Sequence, residues 1–287
     1  MASDQRLIYV DSKGLIAAVS NDSLKGYLRR IWERRQYILK DARLRAFRTH
    51  EDMYLGRLWL VLEPLFSALM YGLMFGLILR TSKGIDNFVG FVILGTTFFG
   101  MLARGLRGGS GLVQSSQRMA SAFNFPRAST VLGVWIKNLY LGLAPAVVGA
   151  TLAILMQWGK WPGPAIVLTI PFYLLIHLFS LGLLLITARI TALLPDFRSI
   201  VPVLNRAWFY VSGVFFSIER YVNIPPLRLV MELNPAYRFL EVMRGLIIYN
   251  SLPALEETFY LIAWSFLIVV VGFIYFWKAE TRYANLK

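Results

Sequence analysis

The sequence contains no cysteine and only two histidines, His50 and His177. Without thiols the chain can form neither disulfides nor thiolate metal sites. The two histidines are far apart in the sequence, so we expect no histidine-based metal cluster and predict no bound metal. Charged residues are also scarce, at 16% of 287 residues, whereas a soluble domain has about a quarter.

Motifs of catalysis are missing as well. The sequence has no GxxxxGK[ST] phosphate loop, and its glycines at 105, 108, 109 and 111 lack the lysine and hydroxyl residue that hold phosphate and magnesium. It has no GxSxG elbow, and no DxD or HxxxxD motif typical of a membrane transferase. We therefore predict no catalytic residue and no cofactor on this chain. The role expected for the glycines is close helix packing or flexibility into the next loop.

What the sequence has instead is a series of long apolar segments. Hydrophobic residues make up 57% of the chain, and the mean hydropathy is +0.56. A helix of about 20 apolar residues crosses the hydrocarbon core of a bilayer. The segments that meet this length are residues 58–79, 88–106, 131–157, 165–186, 200–218 and 258–277. They predict an all-α integral membrane protein with six transmembrane helices.

The net charge of +14 predicts an orientation in the membrane rather than nucleic-acid binding. Twelve of the 30 basic residues precede residue 58, which is the positive-inside pattern. The first residues lack the apolar core of a signal peptide, and the tail carries Lys278, Arg282 and Lys287. We expect both termini in the cytoplasm, with loops 108–130 and 189–199 on that side and loops 81–87, 158–164 and 219–257 outside.

Two further segments are helical in pattern but do not match a simple span. Residues 24–53 mix apolar and basic residues at helical spacing, which favours an amphipathic helix on the cytoplasmic leaflet over a solvated basic helix. Residues 219–250 predict two short helices, 227–233 and 236–249, separated by Asn234-Pro235. This pair is either a re-entrant hairpin or an external cap, and the sequence leaves both open.

Three sequence motifs follow one another along the chain. They are Leu55-Gly56-Arg57-Leu58-Trp59 with Glu63-Pro64, Tyr71 and Phe75; Pro195-Asp196-Phe197-Arg198 before Ser212-Gly213-Val214-Phe215-Phe216; and Asn234-Pro235 before Glu241 and Arg244. In this order the motifs resemble those of the ABC-2-type permeases that export polysaccharides, O-antigens, teichoic acids or galactans. Gly213 stands where that family usually has proline, and Glu63 where it more often has an amide.

The resemblance implies a domain organisation and a set of partners. Residues 1–57 would be a cytoplasmic segment with a gate-like helix, and residues 58–287 the transmembrane domain. A second copy of the chain and two ABC nucleotide-binding subunits, which hold ATP and magnesium, would complete a transporter in the bacterial inner membrane. Residues of the coupling helix that docks on those subunits would be Gln114, Ser115, Ser116, Gln117, Arg118, Met119, Phe123 and Phe125. The outer hairpin would carry Asn234, Pro235, Glu241 and Arg244.

The resemblance also implies a cargo, a lipid-linked polysaccharide that moves to the outer side of the membrane. Aromatic rings stack on the apolar faces of sugars, although rings in spans also face lipid. The first and fifth spans offer such path residues: Trp59, Phe66, Tyr71, Phe75, Trp208, Phe209, Tyr210, Phe215 and Phe216, with the acidic Glu63. Arg48 and Arg57 at the entrance are candidates to bind a pyrophosphate head group.

Alternatives to the glycan exporter stay open at this point. They are an ABC-2 exporter of drugs or small lipids, a membrane-embedded glycosyl- or acyltransferase, and an ion-coupled carrier. A carrier is usually built from internal repeats with broken spans, and no convincing repeat relates the two halves of this sequence.

Overall fold

The computed structural model describes residues 23–48, 87–122, 126–157, 159–217 and 224–283, together with positions 56–59, 62, 65, 66, 69, 70, 73, 74 and 85. Within these residues the chain forms helices and turns, with no strand. The all-α prediction is therefore confirmed.

Eleven α-helices follow one another in the described part of the chain. They are α1 Leu24–Glu33, α2 Arg35–Phe47, α3 Phe88–Gly108, α4 Leu112–Ala122, α5 Arg127–Leu155, α6 Thr169–Leu193, α7 Phe197–Val211, α8 Pro225–Glu232, α9 Pro235–Arg244, α10 Leu255–Trp277 and α11 Glu280–Tyr283. Shorter turns of helix lie at Gly56–Leu58, Pro164–Leu168 and Gly245–Tyr249.

Among the described residues, four helices are long and apolar enough to cross a membrane: α3, α5, α10, and α6 with the turn before it. They correspond to the predicted second, third, fourth and sixth spans. The shortest, α3, has 21 residues and is about 31 Å long, which matches the hydrocarbon core. Most of the predicted first span, 58–79, lies outside the described residues, so the count of six spans stays a prediction.

The predicted fifth span differs from the structure at both ends. Helix α7 begins at Phe197 and ends at Val211, whereas residues 200–218 were expected to be one helix. Its 15 residues give a length of about 22 Å, too short to cross the hydrocarbon core alone. The chain turns after Val211 because Gly213 adopts a φ of +61°, a conformation that glycine accepts without strain.

Helix α3 is at the centre of the bundle and is buried over most of its surface, except for one stripe through Val89, Gly100 and Arg107. It packs against α5, α6 and α9, while α6 packs in turn against α10. Along α10 the buried positions form a single stripe, Leu261, Ser265, Gly272 and Phe276. The other faces of α10 expose apolar side chains such as Phe266 and Val270, as expected for a helix in contact with lipid.

Hydrogen bonds connect the segments between the helices at both ends of the bundle. At one end, Gln114 donates a hydrogen bond to the Thr191 carbonyl oxygen, which joins loops 108–130 and 189–199. At the other end, the Ala165 amide donates to Asn250 Oδ1, which joins the loop after α5 to the segment after α9. The side of the membrane on which each loop lies stays a prediction.

The predicted amphipathic segment forms two helices rather than one. Ser23 caps α1 by accepting a hydrogen bond from the Gly26 amide, and the chain bends at Arg34 before α2 begins. Helix α2 buries Ile38 and Ala42 and packs against α5. The two helices are therefore docked on the bundle through one face.

Candidate functional site

Arg244 is the last residue of α9, and its side chain is only 1% exposed. The guanidinium donates hydrogen bonds to the carbonyl oxygens of Gly213 and Val214, at 3.2 and 2.9 Å. It also donates to Glu241 Oε1 at 3.1 Å. Its Cζ atom lies 3.3 Å from the ring centroid of Phe91. Arg244 therefore joins α9 to α3 and to the turn that follows α7.

The surroundings of Arg244 explain why a charged side chain can be buried there. The last carbonyl groups of a helix and the turn after it lack partners within the helix, and in an apolar setting they must find donors elsewhere. The guanidinium supplies those donors. Gly95 of α3 makes room for it, since a Cβ atom there would lie 2.5 Å from Arg244 Nη2 and 2.7 Å from the Val214 oxygen.

Asn234 organises the break between α8 and α9. Its Oδ1 accepts hydrogen bonds from the Ala236 amide at 3.1 Å and from Trp208 Nε1 at 3.0 Å, and its Nδ2 donates to Ser212 Oγ at 2.9 Å. The Trp208 ring packs edge-on against Phe99, with centroids 5.1 Å apart. Through Trp208 the break is therefore linked to Phe99, which is near the middle of α3.

The aromatic residues predicted for the fifth span have different exposures. Phe215 is 1% exposed and packs edge-on against Phe209, which also contacts Phe99. Phe216 is half-buried. Tyr210, at 52%, is the exposed ring of this group. Within one chain, Tyr210 is therefore available to a substrate, whereas Phe215 is part of the packed core.

The residues predicted for the first span and the entrance are only partly described. Phe66 is 53% exposed and Trp59 is half-buried. Arg48 is exposed immediately after α2. The remaining members of this set, Glu63, Tyr71, Phe75 and the side chain of Arg57, lie outside the described residues.

Helix α4 carries most of the predicted coupling residues and is fixed to the end of α6. Gln114 Nε2 donates to the carbonyl oxygens of Thr191 and Ala192, at 3.0 and 3.2 Å. Gly111, before α4, donates its amide hydrogen to the Thr191 hydroxyl at 3.1 Å. A displacement of α4 would therefore be passed directly to α6.

The other coupling candidates have smaller structural roles in α4. The hydroxyls of Ser115 and Ser116 donate to the Leu112 carbonyl oxygen within the helix. Gln117 is half-buried. The side chains of Arg118 and Met119, together with residues Phe123 and Phe125, lie outside the described part of the chain.

A buried polar cluster at the same end joins α1, α5 and α11. The Tyr27 hydroxyl donates to Glu280 Oε2 at 2.9 Å and accepts from the Ala128 amide at 3.1 Å. The Arg127 amide donates to Glu280 Oε1 at 3.0 Å. Burial, followed by the charge of Glu280, holds the pKa of Tyr27 well above its usual value. The phenol therefore stays protonated and serves as a donor.

Comparison with known proteins gives the family. The sequence profile described as "ABC-2 type transporter" matches residues 36–248, which is most of the chain. The chain belongs to the ABC-2 type transporter family. A relative, the "O-antigen export system permease protein RfbA" of Myxococcus xanthus, is 26% identical over 223 residues, covering 77% of this chain and 83% of the relative. The chain is thus an ABC-2 transporter permease with membrane-spanning helices.

Two residues of the buried polar cluster in this permease, Tyr27 and Glu280, could not be found from the sequence. Tyr27 precedes the matched region and Glu280 follows it, so no family motif marks their contact. They are 253 positions apart, and neither lies in a recognisable motif. An acidic residue immediately after the last apolar span was the one available signal, and on its own it indicates only a helix end.

Proposed function

We propose that this permease is the transmembrane subunit of an ATP-driven exporter that moves a lipid-linked polysaccharide from the cytoplasmic to the outer side of the bacterial inner membrane. The observation that carries the proposal is the similarity to the O-antigen export permease, which extends over most of both chains. The three ordered motifs and the helical bundle support it.

ATP hydrolysis would take place on a separate subunit. The sequence has no phosphate loop, and ABC-2 permeases as a family work with ABC ATPases. We propose that two such subunits dock on α4 of two permease copies. A movement of α4 caused by ATP hydrolysis would then reach α6, a membrane-spanning helix, through the hydrogen bonds of Gln114 to the end of α6.

The substrate path would run between two copies of the chain, along the first and fifth segments. Tyr210 and Phe66 are exposed in a single chain and suit the apolar faces of sugar rings. Arg48, exposed at the end of α2, together with Arg57, would bind the pyrophosphate of the lipid carrier at the cytoplasmic entrance.

The α8–α9 pair would be a re-entrant hairpin at the outer side. Its break is linked through Trp208 to Phe99 of α3, and Asn234, Arg238 and Tyr260 satisfy the backbone groups around it. Broken backbone at membrane depth is stable only when protein covers it, and these contacts meet that condition. In this arrangement both termini would lie in the cytoplasm.

Co-purification tests the proposal. The tagged permease should bring down an ABC ATPase subunit in equal amount, and a lipid-linked glycan should change the rate of ATP hydrolysis. Arg118→Glu should weaken the association, because α4 is the predicted docking helix. Lys160→Glu, an exposed substitution at the opposite end, is the matched control and should have no effect.

Other results would point elsewhere. A stable permease without an ATPase partner would contradict the proposal, as would glycosyl- or acyltransferase activity of the purified chain. ATP hydrolysis that responds to drugs or small lipids, but not to a lipid-linked glycan, would indicate the alternative cargo.

A further inference from the structure

A cavity of about 380 Å³ lies between α2, α4 and α5, at the end of the bundle where the predicted coupling helix is located. Its walls combine apolar side chains with a group of polar ones. The polar residues that matter for its chemistry are Tyr37, Asp41, Arg45, Ser116, Ser129 and Lys137. None of these residues belongs to the aromatic path or to the Tyr27–Glu280 cluster.

One polar group in the cavity wall lacks a partner. Ser129 is 5% exposed, and its Oγ has no hydrogen-bond partner among the described residues. Ser116, on the facing helix, instead donates to the Leu112 carbonyl oxygen. A buried hydroxyl without a partner is uncommon, because losing water without a replacement is unfavourable. The Ser129 hydroxyl is therefore positioned to bond to a molecule in the cavity.

The charges of the cavity do not balance. Arg45 Nε pairs with Asp41 Oδ2 at 2.9 Å, which neutralises the carboxylate. Lys137 is half-buried and forms no ion pair with any residue in the described ranges. One positive charge is thus left over in the wall of the cavity that Ser129 also lines, about 12 Å further along α5.

The position of Lys137 in the bundle indicates whether its counter-ion is a protein carboxylate or a lipid phosphate. It lies ten residues after the start of α5, about 15 Å along a helix that exposes Leu143 and Val147 beyond it. Such apolar exposure is expected against lipid chains. A cation on a membrane helix near the interface pairs with protein carboxylates or with lipid phosphates, and the neighbouring carboxylate, Asp41, is already paired.

We propose that this cavity binds the phosphate group of an anionic membrane phospholipid. Lys137 supplies the charge and Ser129 donates a hydrogen bond to a phosphate oxygen, while Arg45 remains paired with Asp41. A bound head group would touch α2, α4 and α5 together. It would therefore stabilise the contact between the amphipathic segment and the predicted coupling helix, independently of the exported cargo.

The test uses the full-length permease in neutral detergent, with phosphatidylglycerol, phosphatidylcholine and inorganic phosphate as probes. Binding is followed by the thermal unfolding midpoint and by native mass spectrometry. Phosphatidylglycerol should raise the midpoint, and the other two probes should not. Lys137→Gln and Ser129→Ala should each weaken phosphatidylglycerol binding by at least about tenfold, the effect of losing one hydrogen bond to a charged group.

Lys40→Gln is the matched control, since Lys40 is exposed on α2 and does not line the cavity. It should leave binding unchanged. Ser129→Ala keeps the test valid if Lys137→Gln fails to fold, because it removes only a hydroxyl without a described partner. An equal response to phosphatidylcholine or to inorganic phosphate, or an equal loss in Lys40→Gln, would overturn the assignment. Binding of a lipid-linked glycan but not of phosphatidylglycerol would assign the cavity to the cargo and leave the proposed function intact.

Discussion

The hydroxyl of Tyr27, near the start of the described chain, donates a hydrogen bond of 2.9 Å to the carboxylate of Glu280, near its end. Glu280 also receives the amide hydrogen of Arg127, at the start of α5. Three chain segments that are distant in sequence are therefore fixed at one end of the bundle by a single carboxylate. This contact determines how the amphipathic α1 is attached to the membrane-spanning helices.

Tyr27→Phe should destabilise the protein by about 1–3 kcal/mol, the usual effect of leaving a buried hydrogen-bonding group unpaired. The substitution removes the acceptor of the Ala128 amide and one donor to Glu280. Thermal unfolding in detergent measures the change. Tyr140→Phe, at an exposed tyrosine of α5, is the control and should be neutral. Equal midpoints for the two variants would contradict the role given to Tyr27.

The stability of the folded protein should fall at high pH. Burial, and then the charge of Glu280, raises the pKa of Tyr27 above its unfolded value of about 10. The neutral phenol therefore contributes fully below that pH, and its contribution is lost as the pH rises further. Unfolding midpoints measured between about pH 8 and pH 11 should show this loss, and Tyr27→Phe should reduce it. A pH dependence unchanged in Tyr27→Phe would be inconsistent with this assignment.

Arg244→Met should strongly destabilise the bundle, by about 3–5 kcal/mol, because it leaves the Gly213 and Val214 carbonyls and the Glu241 carboxylate without their donor. Arg244→Lys should retain part of the stability that Arg244→Met loses, since an ammonium group lacks the planar fork that reaches both carbonyls. The yield of monodisperse protein and the unfolding midpoint are the measurements. Arg228→Lys, in a partly exposed pair with Glu232, should change little. Similar losses at both positions would argue against a special role for Arg244.

Gly105→Ala should destabilise the protein by about 1–3 kcal/mol through overpacking. A Cβ atom at this position would lie 2.4 Å from the Ser180 carbonyl oxygen on α6. Gly100→Ala, on the same helix and with no atom within 4 Å of the added Cβ, should be neutral or slightly stabilising. Comparison of the two unfolding midpoints tests whether the glycines set the distance between α3 and α6.

Much of the bundle could be predicted from apolar length, because crossing a bilayer requires long uninterrupted segments. This holds for α3, α5, α6 and α10. Asn234-Pro235 also predicted a helix break, which is a local property of the backbone. The end of α7 at Val211 was not predicted, because apolar residues continue past it, whereas the helix ends just before Gly213 adopts a positive φ.

The site was less predictable for a physical reason. Hydropathy places an arginine at a surface, yet Arg244 is buried because carbonyl groups from another segment supply its partners. The contact of Tyr27 with Glu280 likewise depends on how distant helix ends meet. Among the predicted path residues, packing separates Phe215 from Tyr210, although the sequence gives both the same aromatic character.

Transport in a reconstituted membrane tests the central claim most directly. The permease and its ATPase partner are placed in liposomes with a lipid-linked polysaccharide in the outer leaflet, and a lectin in the lumen reports arrival of the glycan. The proposed function predicts that the glycan reaches the lumen only when ATP and both proteins are present. Arrival without ATP or without the partner, or no arrival while ATP is hydrolysed in response to the glycan, would contradict it.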